Sequence, residues 1–358
     1  MKKIKCITAV ILTMFLIAMV SGPVSAADTF KIGVLAPLSV DTGEGEVNAA
    51  QMAADLINGE GGINGKKLEI IIGDTEINPE KAISALKKMV LVDKVDAIVG
   101  GFSTGVTISL MEYLARFKVP YICTGSASDE LQKMVKRDYD KYNYFFRLMY
   151  NETVTAEGMV DLVANYLAPE LGIQRVAVVA EDAKWTKLVA QMFMDGVKAK
   201  GIDVVDYIRY PYKEIDFAPI LSRIKNANVD FLVEICAIAD GSILINQWAD
   251  MQGPLIGGCD TSSGAADFWN KTNGRCLGEI VLTYGSYPVD VTPTTRSFWN
   301  DYTKRFGIIP RYASGYTYDA VFILANMFKE VGKAKLDVMV KFLENQSYLG
   351  GCPRIAEG

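Results

Sequence analysis

Ala97-Ile98-Val99-Gly100-Gly101-Phe102-Ser103-Thr104-Gly105 and Val119-Pro120-Tyr121-Ile122-Cys123-Thr124-Gly125-Ser126-Ala127-Ser128 give the same instruction twice. Each starts as a short apolar run suited to a buried strand, opens into small and hydroxylated residues, and is followed by a helical pattern. Strand, glycine- and hydroxyl-rich turn, then helix is how an α/β protein exposes a row of free N–H and O–H donors. Such a row suits an anion. Its lack of a charged anchor suits a small carboxylate better than a nucleotide. The first loop lacks the Gly-Lys-Ser/Thr ending of a phosphate loop, and no GxGxxG follows the first apolar run at residues 30–35.

Outward from this pair the alternation continues. Residues 30–35 read as a buried strand, 46–58 as a helix, and 68–72 as a second strand. Asn78 caps a helix with Pro79 at its first position, and Ala82, Ile83, Leu86, Met89 and Val90 form its apolar stripe. An irregular aromatic stretch at 139–147 interrupts the pattern, and Asn151-Glu152-Thr153 reads as the entry to a new helix. Strands at 176–180, 204–210, 231–235 and 255–257 then alternate with helices at 187–199, 218–227 and 242–250. Residues 279–284 read as a strand returning to the first half, followed by helices at 294–305, 315–331 and 336–344. The expected fold is therefore α/β, with two similar lobes, each a parallel-type sheet flanked by helices. The expected boundaries are 27–148 with 279–345 for lobe 1, and 149–278 for lobe 2.

The first 26 residues are set aside as a signal peptide. Lys2, Lys3 and Lys5 precede an apolar run from Ile7 to Val20, and Val24-Ser25-Ala26 supplies small residues for cleavage before Ala27. That run is shorter than the roughly 20 residues of a membrane span. The expected location is periplasmic or extracytoplasmic, with no membrane insertion after cleavage. Removal takes away three lysines and no acid, leaving 34 basic against 42 acidic residues and a net charge of −8. An acidic chain without a basic block argues against nucleic acid as partner.

The chain has no histidine. That excludes Ser-His-Asp and Cys-His catalysis and any His-ligated metal, so no enzyme activity, cofactor or metal is expected. Cys123, Cys236, Cys259, Cys276 and Cys352 contain no CxxC pair. The plainer reading is that they are small buried residues; Cys259 with Cys276 is the one pairing to test.

Ligands of open parallel sheets bind beyond the carboxyl ends of the strands. Ser103, Thr104, Thr124, Gly125, Ser126 and Ala127 there are candidate contacts for a carboxylate. Asp260, in Gly258-Cys259-Asp260-Thr261, is a candidate partner for a ligand ammonium, or a cap for a short helix at 263–269. Trp185 either covers an apolar ligand body or packs, and Tyr150 is a further candidate contact. Glu44 is expected to face solvent.

These residues resemble the extracytoplasmic solute-binding proteins of ABC importers, in the leucine/isoleucine/valine-binding group with the type I periplasmic binding fold. The resemblance rests on Ile32-Gly33-Val34-Leu35-Ala36-Pro37-Leu38-Ser39, on Ile57-Asn58 through Gly61-Gly62-Ile63-Asn64-Gly65-Lys66, and on Val95-Asp96-Ala97-Ile98-Val99-Gly100. Val119-Pro120 through Thr124-Gly125-Ser126, Phe146-Arg147, Asp216-Phe217-Ala218-Pro219 and Tyr318-Asp319-Ala320-Val321 continue it in family order. It implies two lobes joined by hinge strands and closing on a ligand. The ligand carboxylate would lie on the loops of Ser103–Thr104 and Gly125–Ala127, its ammonium on Asp260, with Trp185 as cover.

Three departures concern the ligand. Ala127 stands where amino-acid binders often carry threonine, so a hydroxyl is expected from Ser126 or Ser128. An aromatic is missing near Glu44, and Ala237-Ile238 offers only apolar groups where a tyrosine can contact ligand. The family also continues beyond residue 358, which makes 346–358 an incomplete last hinge crossing. The resemblance implies a receptor that binds a small amino acid of branched-chain type, or a related carboxylate, and delivers it to a membrane permease. The alternatives are a ligand-sensing module and a binder of aromatic acids or amides.

Overall fold

Ten parallel strands make up two sheets in the computed structural model, which describes residues 29–283, 289–290 and 293–345. The segment expected as a signal peptide, Cys352 and the tail at 346–358 lie outside the described residues. The first sheet contains β1 (Phe30–Ala36), β2 (Leu68–Asp74), β3 (Ala97–Gly100), β4 (Tyr121–Cys123) and β5 (Phe145–Arg147) in the order β2-β1-β3-β4-β5. The second contains β6 (Arg175–Glu181), β7 (Asp203–Tyr210), β8 (Phe231–Cys236), β9 (Leu255–Asp260) and β10 (Ile280–Val281). Its order, β7-β6-β8-β9-β10, repeats the first. In each sheet the strand order reverses beside the first strand of the set, and the crevice there opens beyond the carboxyl ends.

Helices cover both faces of each sheet. Helices Asp41–Gly59, Thr295–Phe306, Tyr312–Val331 and Leu336–Glu344 bury Val34, Val99 and Ile122 on one face of the first sheet, where Phe30 stacks on Phe328 at 4.7 Å. Helices Pro79–Lys88 and Thr104–Phe117 close the other face over Leu35, Ile98 and Tyr121. In the second sheet, helix Lys184–Ala199 covers Val176, Val178 and Ala180, and helices Ala218–Asn226 and Gly241–Met251 cover Ala177, Val179 and Leu232. Burial on both faces is why these strands read as continuous apolar runs rather than alternating ones.

Capping signals placed two helices well. Asn78 accepts the Lys81 N–H at 3.0 Å ahead of Pro79, and Asn151 accepts the Val154 N–H at 2.8 Å to open helix Glu152–Asp161. The helix expected at 46–58 starts earlier, at Asp41. Gly43 and Gly45 look like turn formers but serve close packing: a Cβ on Gly43 would lie 2.0 Å from the Pro37 carbonyl oxygen, and one on Gly45 2.6 Å from Ser314 Oγ. Glu44 is exposed on that helix, as expected.

The strand expected at 279–284 corrects the lobe boundary. Ile280 and Val281 pair with Gly257 and Gly258, so this strand completes the second sheet rather than returning to the first. A Cβ on Gly257 would lie 2.1 Å from the Ile280 carbonyl oxygen, so a bare backbone is what admits it. The first crossing between the sheets, residues 148–151, is not a strand either. Leu148 packs against the cores of both sheets there. None of the four described cysteines forms a disulfide, so Cys259 and Cys276 are not bridged; Cys123, Cys236 and Cys259 are buried. No helix among the described residues is long and apolar enough to cross a membrane.

Candidate functional site

The donor row lies at the carboxyl ends of β3 and β4. Gly100 has φ +112°, and a Cβ there would lie 2.4 Å from the Leu35 carbonyl oxygen, so only glycine makes this turn without strain. The Tyr121 hydroxyl donates to the Gly100 carbonyl at 2.9 Å and occupies the space a Gly101 side chain would need. Helix Thr104–Phe117 starts immediately after Ser103, and its first amides have no intrahelical acceptor. They and the helix dipole favour an anion at this end.

Thr124 and Ser126 stand behind this row. Thr124 Oγ1 donates to Glu46 Oε1 at 2.9 Å and accepts from Thr317 Oγ1 at 2.9 Å, bracing β4 against two helices. Glu46 is fully buried, and burial pushes its carboxyl well above the ordinary range while the Thr124 hydrogen bond opposes this. Ser126 is buried with its Oγ 3.4 Å from Thr104 Oγ1, and Ser128 Oγ accepts the Glu130 N–H as a helix cap. Of the two hydroxyls expected to replace the one missing at Ala127, that of Ser128 is engaged in this cap and that of Ser126 lies beside Thr104.

A small cavity, partly open to solvent, separates this row from the second sheet. Ser103, Thr104, Gly125 and Ala127 line it from the first sheet, and Glu181, Ala183, Lys184 and Trp185 from the second. Phe102, Met149 and Ile238 add apolar wall. Tyr312, at the start of helix Tyr312–Val331, completes it and donates from its hydroxyl to the Gly125 carbonyl at 3.1 Å.

Glu181 is the acid that lines this cavity, which Lys184 lines as well. It ends β6, is fully buried, and accepts the backbone N–H groups of Ile238 and Ala239 at Oε2, at 2.9 and 2.8 Å. Oε1 is buried and has no hydrogen-bond partner. Burial raises the carboxyl above its ordinary range; the amides at Ala239, Ile238 and Ala237 pull it down, and the charge of Asp260 pushes it up. The indole N–H of Trp185 is likewise buried without a partner. One acceptor and one donor without a partner thus sit on two residues that line the same cavity, and leaving each unmade is costly.

Two sequence expectations are displaced. Asp260 does not line this cavity; its neighbour Thr261 does. The helix expected at 263–269 is instead two short turns, Ser262–Gly264 and Phe268–Lys271, neither capped by Asp260. The Asp260 carboxylate turns to its own chain and accepts from Ser262 N and Oγ, both at 2.7 Å. The physical reason is helix Gly241–Met251, whose first residue comes so close to Asp260 that a Cβ on Gly241 would lie 2.2 Å from Oδ2. Tyr150 is 48% exposed and is not among the cavity's lining residues. Sequence spacing did not single out Glu181, the acid that lines this cavity.

Residues 29–356 match the family model described as periplasmic binding protein. "Leu/Ile/Val-binding protein homolog 7" of Brucella abortus (strain 2308) is 25% identical over 313 residues, covering 84% of this chain and 76% of the relative. Among solved structures, the branched-chain amino acid transporter substrate-binding protein LivJ of Streptococcus pneumoniae, in complex with isoleucine, superposes with a TM-score of 0.78 at 22% identity, covering 91% of each chain. A solute-binding protein of an ABC transporter from R. palustris, in complex with benzoate, gives a TM-score of 0.78 at 17% identity, covering 91% of this chain and 88% of that one. The family match over almost the entire described chain, joined to two parallel sheets facing one cavity, places this protein in the periplasmic binding protein family, with the type I fold of its leucine/isoleucine/valine-binding members.

Proposed function

We propose that the cavity binds a small α-amino acid with an apolar side chain. Its carboxylate meets Ser103, Thr104 and the backbone of residues 125–127; its ammonium meets Glu181 Oε1; its side chain lies against Trp185, Phe102 and Met149. The observation that carries this reading is the unpartnered, fully buried oxygen of Glu181, an acid lining the same cavity as Ser103 and Thr104. An ammonium satisfies that oxygen and neutralises the carboxylate, whereas an unpaired buried charge is costly.

The two lobes, residues 27–148 with the helices from Thr295 onward and residues 149–281, close on the ligand by hinge motion. The closed form is what a membrane permease of an ABC importer recognises, at an extracytoplasmic site reached after removal of residues 1–26. The ligand undergoes no chemical change. The Brucella relative's name and the isoleucine in the LivJ complex support this substrate class.

A second reading, an aromatic carboxylate, is favoured by the apolar wall and by the benzoate complex of the R. palustris protein. In that case a neutral Glu181 would donate its proton to the ligand. A thermal-shift screen of aliphatic amino acids against benzoates separates the readings. Ligand at ~100 times its dissociation constant adds about 2.7 kcal/mol of stability. Stabilisation by leucine, isoleucine or valine supports the first; stabilisation by benzoates alone replaces it with the second.

A further inference from the structure

Glu234, Cys236 and Asp260 meet inside the second lobe, away from the cavity that Glu181 lines. Glu234 and Cys236 lie two residues apart on β8 and so share a face, and Asp260 is the register partner of Cys236 on β9. The Cys236 sulfur is 3.1 Å from Asp260 Oδ1 and 3.6 Å from Glu234 Oε1, and one ligand atom from each residue lies within 4.8 Å of the other two. All three are buried; Glu234 is 1% exposed, and its Oε2, on the carboxyl that touches the thiol, has no hydrogen-bond partner.

We propose that Glu234, Cys236 and Asp260 form a binding site for a thiolate-accepting divalent cation of the zinc class. Two carboxylates and a thiolate are a mixed donor set suited to such an ion, and no histidine is needed. A tetrahedral zinc with one sulfur and one oxygen ligand separates those atoms by roughly 3.6 Å, close to the spacings seen here. Charge supports the same assignment. Three anionic ligands and a divalent ion leave one negative charge, and the buried Arg311 guanidinium acts on Asp260 with the opposite sign. Without a cation the cluster must hold protons, and Glu234 Oε2 stays orphaned. A way in exists, because Asp260 and Glu279 both line an opening next to the ligand cavity. On binding, the thiol and carboxyl protons leave to solvent and three metal–ligand bonds form.

The test uses the full secreted chain, washed with chelator and kept reduced, with cadmium as the probe. Titration should give one equivalent with an ultraviolet thiolate-to-cadmium band and a matching calorimetric isotherm. The band should persist in the C276S/C352S variant and vanish in C236S, and E234Q should weaken binding at least tenfold. Because C236S can unfold the lobe, the thermal midpoint of the unaltered protein is measured with and without zinc, and a rise is expected. No band, a band that survives C236S, or a midpoint that zinc does not raise would overturn the site. None of these outcomes depends on which ligand the cleft takes.

Discussion

Glu181 Oε2 accepts the Ala239 backbone N–H at 2.8 Å, which ties the end of β6 to the loop after β8. Those are the two strands at which the order of the second sheet reverses. The bond fixes one carboxylate oxygen, while the other is buried without a partner on a residue that lines the cavity. The equivalent reversal in the first sheet, between β1 and β3, carries the turn at Gly100 and the start of the donor row. The two halves of the chain thus bring acceptor and donors together from corresponding places.

Affinity for an amino acid should fall on acidification. The Glu181 carboxyl is raised above its ordinary range by burial in the ligand-free protein, and an ammonium binds its ionised form. A proton must leave before the ligand is held, so affinity rises with pH up to the folded-state pKa and levels off above it. Calorimetry across a pH series checks this. A benzoate accepting a proton from neutral Glu181 would show the opposite slope.

Trp185→Phe keeps the aromatic cover and removes the unpaired indole N–H. If that donor meets ligand, affinity drops by about 1 kcal/mol, roughly fivefold. The unliganded variant should be no less stable than the parent, since the N–H is buried without a partner. Chemical denaturation with and without ligand reads both quantities.

Gly100→Ala should destabilise the first lobe by more than about 1 kcal/mol, because φ is +112° and the new methyl would meet the Leu35 carbonyl. Gly105→Ala, five residues along, is a matched control: nothing lies within 4 Å of the added carbon. Equal urea midpoints for the two variants would contradict the close-approach account of this turn.

Stability should decline as pH rises from about 5 to about 8. Glu279 is pushed from 4.5 to about 8, first by burial and then by the charge of Asp260. Between these values the folded state keeps a proton that the unfolded state has released, so unfolding free energy falls with increasing pH. Glu279→Gln should flatten that slope. Glu46 and Glu234, both raised well above the ordinary range by burial, contribute with the same sign, so the slope shrinks without vanishing.

Much of this architecture is legible in the chain, because parallel strands covered on both faces must be apolar throughout and helices between them must be amphipathic. Asn78-Pro79 and Asn151 mark helix starts through the capping bonds they form. The donor row is legible for the same reason: Gly100 and Ser103 carry the turn chemistry that the strand ends need. Sequence is weaker where tertiary packing decides. Gly43 and Gly45 suggest a loop but serve close contacts, and Gly257 admits β10 to the second sheet. Asp260 and Glu181 are both acids at strand ends, and only the approach of Gly241 turns the first away from the cavity. One local signal does favour Glu181: it is a lone carboxylate closing a strand whose other interior positions are apolar.

Calorimetric titration of leucine and isoleucine into the parent protein and into Glu181→Gln at neutral pH tests the central claim most directly. The account predicts saturable binding by the parent and at least ~30-fold weaker binding by the variant, the loss of about 2 kcal/mol expected when a buried charge partner is removed. Equal affinity in the two proteins would show that the ligand ammonium is held elsewhere and contradict the account.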